Sequence, residues 1–120
     1  MSATVTRKGR EILVTISQTS VAAATELEIP LGITRGRLLR IIAAKTSGDA
    51  SNVDPLLGIA TNPTGVDVVF EQGTAAAIVD NQIAGGATFS TTSGSLFYRP
   101  TPDSGTNNAV STTLHILVGW

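Results

Sequence analysis

The sequence predicts an all-β fold, an antiparallel β-sandwich of about eight strands in 120 residues. Two observations carry this. Apolar and polar residues alternate with period two along several segments, the pattern of strands with one buried face. Those segments are separated by clusters of Gly, Pro and Asx residues and by no segment with an amphipathic helical stripe. Strands without intervening helices pack as sheet on sheet.

Each element follows in order. In residues 11–17, Ile12, Val14 and Ile16 share a face opposite Thr15 and Ser17. Residues 24–29 set Leu27 and Ile29 against Glu26 and Glu28, and Pro30 closes the run. Residues 37–46 carry Leu38, Leu39, Ile41 and Ile42, apolar on both faces as in a strand covered on both sides. A helix is an alternative there, but β-branched residues and flanking Gly36 and Gly48 favour a strand. Residues 56–61 form a short apolar run between Pro55 and Pro63, and Val66, Val68 and Phe70 alternate with Asp67 and Glu71. Residues 74–83 are ambiguous, since their alanines permit a short helix while Ile78-Val79 suits a strand. Residues 87–92 and 95–99 follow as strands, the second with Leu96, Phe97 and Tyr98. The last strand has the clearest alternation, with Val110, Thr112, Leu114, Ile116, Val118 and Trp120 on one face and His115 on the other. Asn62-Pro63-Thr64-Gly65, Gly85-Gly86, Thr92-Ser93-Gly94 and Pro102-Asp103-Ser104-Gly105 supply the expected chain reversals. Eight strands at this spacing fit a jelly roll, two four-stranded sheets face to face.

The chain is sized for one domain, expected over residues 11–120. Charged residues make up only 14%, against roughly 25% in ordinary soluble domains. A surface this poor in charge resists association weakly, so much of it is expected to be covered by copies of itself or by a partner. No cysteine is present, which excludes disulfides, thiolate metal sites and cysteine nucleophiles. Residues 2–8 lack the apolar stretch of a signal peptide, and no apolar run reaches the ~20 residues of a membrane span. Synthesis in the cytoplasm and no membrane partner are the expectation. Asn62-Pro63-Thr64 carries the proline that forbids glycosylation.

Net charge is −1, but it is unevenly placed. Seven bases against three carboxylates precede Thr46, and one base against six carboxylates follows it, so the halves carry about +4 and −5. Either the strands mix these in space, or the protein has two complementary faces.

Site chemistry is absent wherever it is sought. His115 is the only histidine, and no Gly-x-Ser-x-Gly elbow accompanies it. Asp49, Asn52 and Asp54 share a loop, but their spacing is not that of an EF-hand. Asp103, Asn107 and Asn108 are explained as turn residues. Gly32-Ile33-Thr34-Arg35-Gly36 lacks the glycine pattern and lysine of a phosphate loop, and one histidine without cysteine cannot make a zinc site. Aromatics are not interleaved with bases, which argues against nucleic acid, and one Trp with one Tyr make a poor glycan platform. No catalytic residue, cofactor or metal is therefore expected, and no enzyme activity.

A short, cysteine-free, Thr/Ala/Gly-rich sandwich ending in an alternating strand resembles the small jelly-roll virion proteins of tailed bacteriophages, capsid cement (decoration) proteins in particular. The residues that carry the resemblance are Gly94-Ser95-Leu96-Phe97-Tyr98-Arg99-Pro100-Thr101-Pro102-Asp103-Ser104-Gly105-Thr106-Asn107-Asn108, leading into the last strand. It implies a virion structural protein on the capsid surface. Such a protein is a homo-oligomer, trimer before dimer, and clamps neighbouring subunits of the major capsid protein. Residues 1–10 are then expected to form an arm ordered on the shell or a sister subunit. The expected partner interface comprises Arg7, Lys8, Arg10, Arg35, Arg37, Tyr98 and Trp120. The competing expectation is a phage tail or adhesin-type sandwich that binds host-surface glycans.

Overall fold

The computed structural model describes residues 2–119. The strands are β1 (Ser2–Lys8), β2 (Glu11–Val21), β3 (Leu27–Pro30), β4 (Arg35–Ser47), β5 (Leu56–Gly58), β6 (Val68–Glu71), β7 (Ile78–Ser90), β8 (Ser95–Arg99) and β9 (Asn108–Val118). One 3-10 turn, Gly65–Asp67, leads into β6.

Every strand pair is antiparallel. One sheet has the order β1-β2-β9-β4-β7 and the other β3-β8-β5-β6. Leaving β1 aside, consecutive strands cross between the sheets except at β5 and β6, and the two four-strand orders are those of a jelly roll. The fold is thus an all-β antiparallel sandwich of jelly-roll type with a ninth strand added beyond β2.

Alternation places the core as expected. Ile12, Val14 and Ile16 of β2, Leu38 and Ile41 of β4, and Leu114 and Ile116 of β9 meet Ile29, Leu57, Leu96 and Tyr98 of the facing sheet, all buried. Each such side chain contributes about 1.5–3 kcal/mol of burial. Val21, Ala43, Val53, Val79 and Val110 form a second cluster toward the amino end of β9.

Four expectations are corrected. Residues 74–83 and 87–92 are not two segments around a reversal at Gly85-Gly86, because β7 runs unbroken from Ile78 to Ser90. Leu38 faces Ala87 and Arg40 faces Gln82, so residues 83–86 oppose Leu39 alone in a bulge. Gly85 and Gly86 supply the positive φ angles, 76° and 79°, that the bulge needs. Val66 is not in a strand but on the 3-10 turn, 97% exposed. β4 is covered on one side only, since Leu38 and Ile41 are fully buried while Leu39 and Ile42 are half-buried on an outer face without a further layer. Tyr98, expected at an interface, is 0% exposed. Its alternation phase in β8 points it into the sandwich, where its hydroxyl pairs with the buried Thr112 hydroxyl at 2.7 Å.

Candidate functional site

The register of the larger sheet decides where its charges fall. Arg7 pairs with Ile12 and Lys8 with Glu11, while Ile12 and Glu11 pair with Ile116 and Leu117 of β9. On the other side of β9, Arg37 also pairs with Leu117. Arg10 donates from Nε and Nη2 to the Val118 carbonyl at 3.1 and 2.9 Å. The Gly119 amide donates to the Arg35 carbonyl at 2.8 Å. Arg7, Lys8, Arg10, Arg35 and Arg37 therefore gather at one end of the sheet, at the level of residues 116–119. Among the described residues, Glu11 is the only carboxylate of that sheet at this end. Two sequence-distant clusters of bases thus share one end of the sheet.

Local bonds orient two of these bases. Arg7 Nε donates to the Gly9 carbonyl at 3.0 Å, and Arg37 Nη1 donates to the Gly85 carbonyl at 3.3 Å. A carbonyl partner orients a guanidinium but leaves its charge uncompensated. Arg7, Lys8, Arg10 and Arg35 are exposed and Arg37 half-buried. By contrast, Arg40 is spent on Asp80 in a bidentate pair at 2.9 and 2.7 Å. That hydrogen bond holds Asp80 below the usual carboxylate range and raises Arg40. Arg99 pairs with Glu26 at 3.2 Å.

The opposite end is acidic. The loop after β4 and the loop before β9 meet there. Ser51 donates its amide to Asp103 at 2.9 Å, and Asn52 its side-chain amide at 3.2 Å. The Ser51 bond, first among several, holds Asp103 below the usual range. Asn108 is buried and staples the same loops, accepting from Ala50 at 2.8 Å and donating to Val21 at 3.0 Å. Asp49 lies beside Gly105, and Asp54 accepts from the Gly73 amide at 2.9 Å. These carboxylates serve the loops. Among the described residues no three His, Cys, Asp or Glu side chains converge as metal ligands.

Beside the basic end, the outer face of the sheet holds a shallow depression of about 360 Å³ that includes Thr6, Lys8, Glu11, Leu13, Leu39 and His115. Leu13 is 40% exposed. His115 is exposed between Leu13 and Arg40 in the register. Sequence reasoning placed Leu39 on a second apolar face but assigned neither Leu13 nor Leu39 to a site. The signal was present in Ile12-Leu13-Val14, Leu38-Leu39 and Ile116-Leu117-Val118, where an apolar residue stands at a position that alternation assigns to solvent. Of the expected interface residues, five form the basic end, Tyr98 is in the core, and Trp120 lies outside the described residues. Among the described residues no helix is long and apolar enough to cross a membrane.

No family model matches the chain, and no curated protein does. Ten solved chains match. One belongs to the cyanophage Pam1 capsid asymmetric unit, with 14% identity and a TM-score of 0.40, covering 97% of this chain and 86% of that one. Another belongs to a nora virus structure, with 8% identity and a TM-score of 0.36, covering 99% of this chain and 61% of that one. Overlaps this partial add nothing to the strand order, which carries the fold on its own.

Proposed function

We propose that this chain is a non-enzymatic virion structural protein, a capsid cement protein that binds across subunits of the major capsid protein and stabilises the shell. The observation that carries the reading is the basic end, where Arg7, Lys8, Arg10, Arg35 and Arg37 share one end of the sheet and Lys8 lines the outer-face depression together with Leu13 and Leu39. An excess of basic residues at the margin of a small apolar surface suits an acidic protein surface. The charge steers and registers the partner, and the apolar area holds it.

Other partners fit less well. Nucleic-acid strands want aromatic stacking beside the bases, whereas Phe89, the one aromatic in the described part of this sheet, is buried. A glycan platform would need exposed aromatic rings, and Tyr98 is in the core. The jelly-roll order and the resemblance in residues 94–108 support a virion setting. The self-association expected from that resemblance is part of the reading.

Co-sedimentation with shells of the major capsid protein tests the proposal. The chain is expected to saturate at a fixed ratio to shell subunits and to raise the temperature at which shells burst. Arg35→Glu with Arg37→Glu is expected to lower occupancy at least tenfold. No binding by the unaltered chain, or full binding by the charge-reversed one, sinks it.

A further inference from the structure

The outer strands of the two sheets are β1, β7, β3 and β6, and they are not alike. Edge strands present unpaired N–H and C=O groups, so proteins shorten, kink or charge them. β7 is kinked by its bulge at residues 83–86. β3 has four residues and ends on Pro30, and β6 has four and ends on Glu71. β1 has seven residues, pairs with β2 without a break from Ser2 to Lys8, and holds neither proline nor a charge before Arg7.

Among its described side chains β1 also has no buried residue. Residues 3–8 are all exposed, although their ladder partners Ile12, Val14 and Ile16 are fully buried. The reason is geometric. β1 is the fifth strand of a sheet faced by four, so Ala3, Val5 and Arg7 on the inner side project past the opposing layer. Val5 is 37% exposed. β1 therefore adds backbone pairing to β2 and almost no core.

The turn identifies which backbone groups are free. Gly9-Arg10 is a two-residue connection with a positive φ of 62° at glycine, the glycine-first pattern of a type II′ hairpin. Lys8 and Glu11 then form the hydrogen-bonded pair that closes it. Antiparallel pairs alternate between bonded and non-bonded, so Ala3, Val5 and Arg7 direct their N–H and C=O groups to the open edge.

We infer that β1 is a self-pairing edge, and that β1 of a second copy adds to it antiparallel about a two-fold axis at Val5, joining two five-stranded sheets into one. The sequence is complementary to itself in that register. Each Val5 faces its own copy, Thr4 faces Thr6, Ala3 faces Arg7 and Ser2 faces Lys8. No like charges are opposed, and a β-branched pair sits at the centre. A contact of this kind closes at two copies, in place of the trimer that the family resemblance implied. The pairing names the self-partner in the proposed function; it rests on that reading for its place on a shell but not for its geometry. Seven paired residues bury less than the ~1,200 Å² of a stable interface. Association is accordingly weak in dilute solution and gains strength where a shell holds copies side by side.

Sedimentation equilibrium of the full chain from about 10 μM to about 1 mM, the span of a micromolar-to-millimolar Kd, tests this. A monomer–dimer equilibrium is expected. Val5→Pro removes an outward N–H and leaves the donors to β2 in place, a position where an edge strand tolerates proline. Val5→Lys sets two ammonium groups opposite each other. Each variant is expected to weaken dimerisation at least tenfold with an unchanged circular dichroism spectrum, and Arg35→Glu with Arg37→Glu to leave it intact. A chain that stays monomeric throughout, a trimer, or variants that dimerise like the unaltered chain would overturn the inference. None of these outcomes depends on shell binding, so the failure of the pairing and the failure of the cementing role are told apart.

Discussion

Tyr98 shows at the scale of one residue where sequence reasoning stops. Its alternation with Phe97 was visible, but which of the two points inward is set by the pairing of β8 with β3 and β5. Burial raises the Tyr98 phenol well above its usual value, so the hydroxyl stays protonated and bound to Thr112. Tyr98→Phe strands the Thr112 hydroxyl, and Thr112→Val strands the phenol. Each is expected to cost about 1–3 kcal/mol in urea unfolding, whereas the double variant loses less than the sum because neither buried group is left unpaired. Asp103 gives a pH dependence of opposite direction to a histidine switch. Its carboxyl is held below the unfolded value by the Ser51 amide, so its contribution is present above about pH 4 and is lost as pH falls through the folded value. Urea midpoints measured from pH 6 down to pH 2.5 are expected to decline, and Asp103→Ala is expected to flatten part of that decline. An unchanged acid limb in the variant would remove Asp103 from the account.

Elements were visible in the sequence wherever a single face is buried, as in β2 and β9, and obscured where the chain departs from strict alternation. β7 is the clearest case. Gly85-Gly86 carries the residues of a turn, and sequence has no means of showing that β4 would continue alongside and absorb the extra residues opposite Leu39. β1 went unseen as a strand for the opposite reason, since a strand with no side chain in the core leaves only β propensity to read. The bulge makes a sharp expectation. At Gly86 a Cβ would stand 3.0 Å from Arg37 Cβ and 3.1 Å from Leu39 Cδ2, at a φ of +79°. Gly86→Ala is therefore expected to destabilise by about 1–3 kcal/mol. Gly85→Ala has open space around its Cβ and carries the strain of positive φ alone, so it is expected to cost less. Equal midpoints for the two variants would show that crowding against β4 contributes nothing.

The whole molecule turns a polarity along the sequence into a polarity in space. The larger sheet keeps five of its seven early bases at one end of β9, at residues 116–119, while the loops at the other end carry Asp49, Asp54 and Asp103 with Lys45 beside them, so the charges average out only in part. The jelly-roll order is the cause. It sets β1, β2, β9 and β4 side by side, with the β1–β2 turn and the start of β4 at the same level. The sequence grouped residues 7–10 and 35–37 only as early bases, and the strand order is what brings them to one end. The arrangement predicts a particular response to salt. Exposed charges act through solvent and are screened over about 10 Å at 0.1 M ionic strength, shrinking to about 3 Å at 1 M. If the basic end guides the protein onto an acidic surface, the association rate falls steeply with salt while the dissociation rate, governed by Leu13 and Leu39 in the depression, changes little. Stopped-flow binding to shells of the major capsid protein between 0.05 and 0.5 M salt separates the two. Arg35→Glu with Arg37→Glu is expected to abolish most of the salt dependence of the on-rate, and Leu13→Ser to speed dissociation with the on-rate unchanged. A salt response that survives the charge reversal would assign the steering to some other part of the surface.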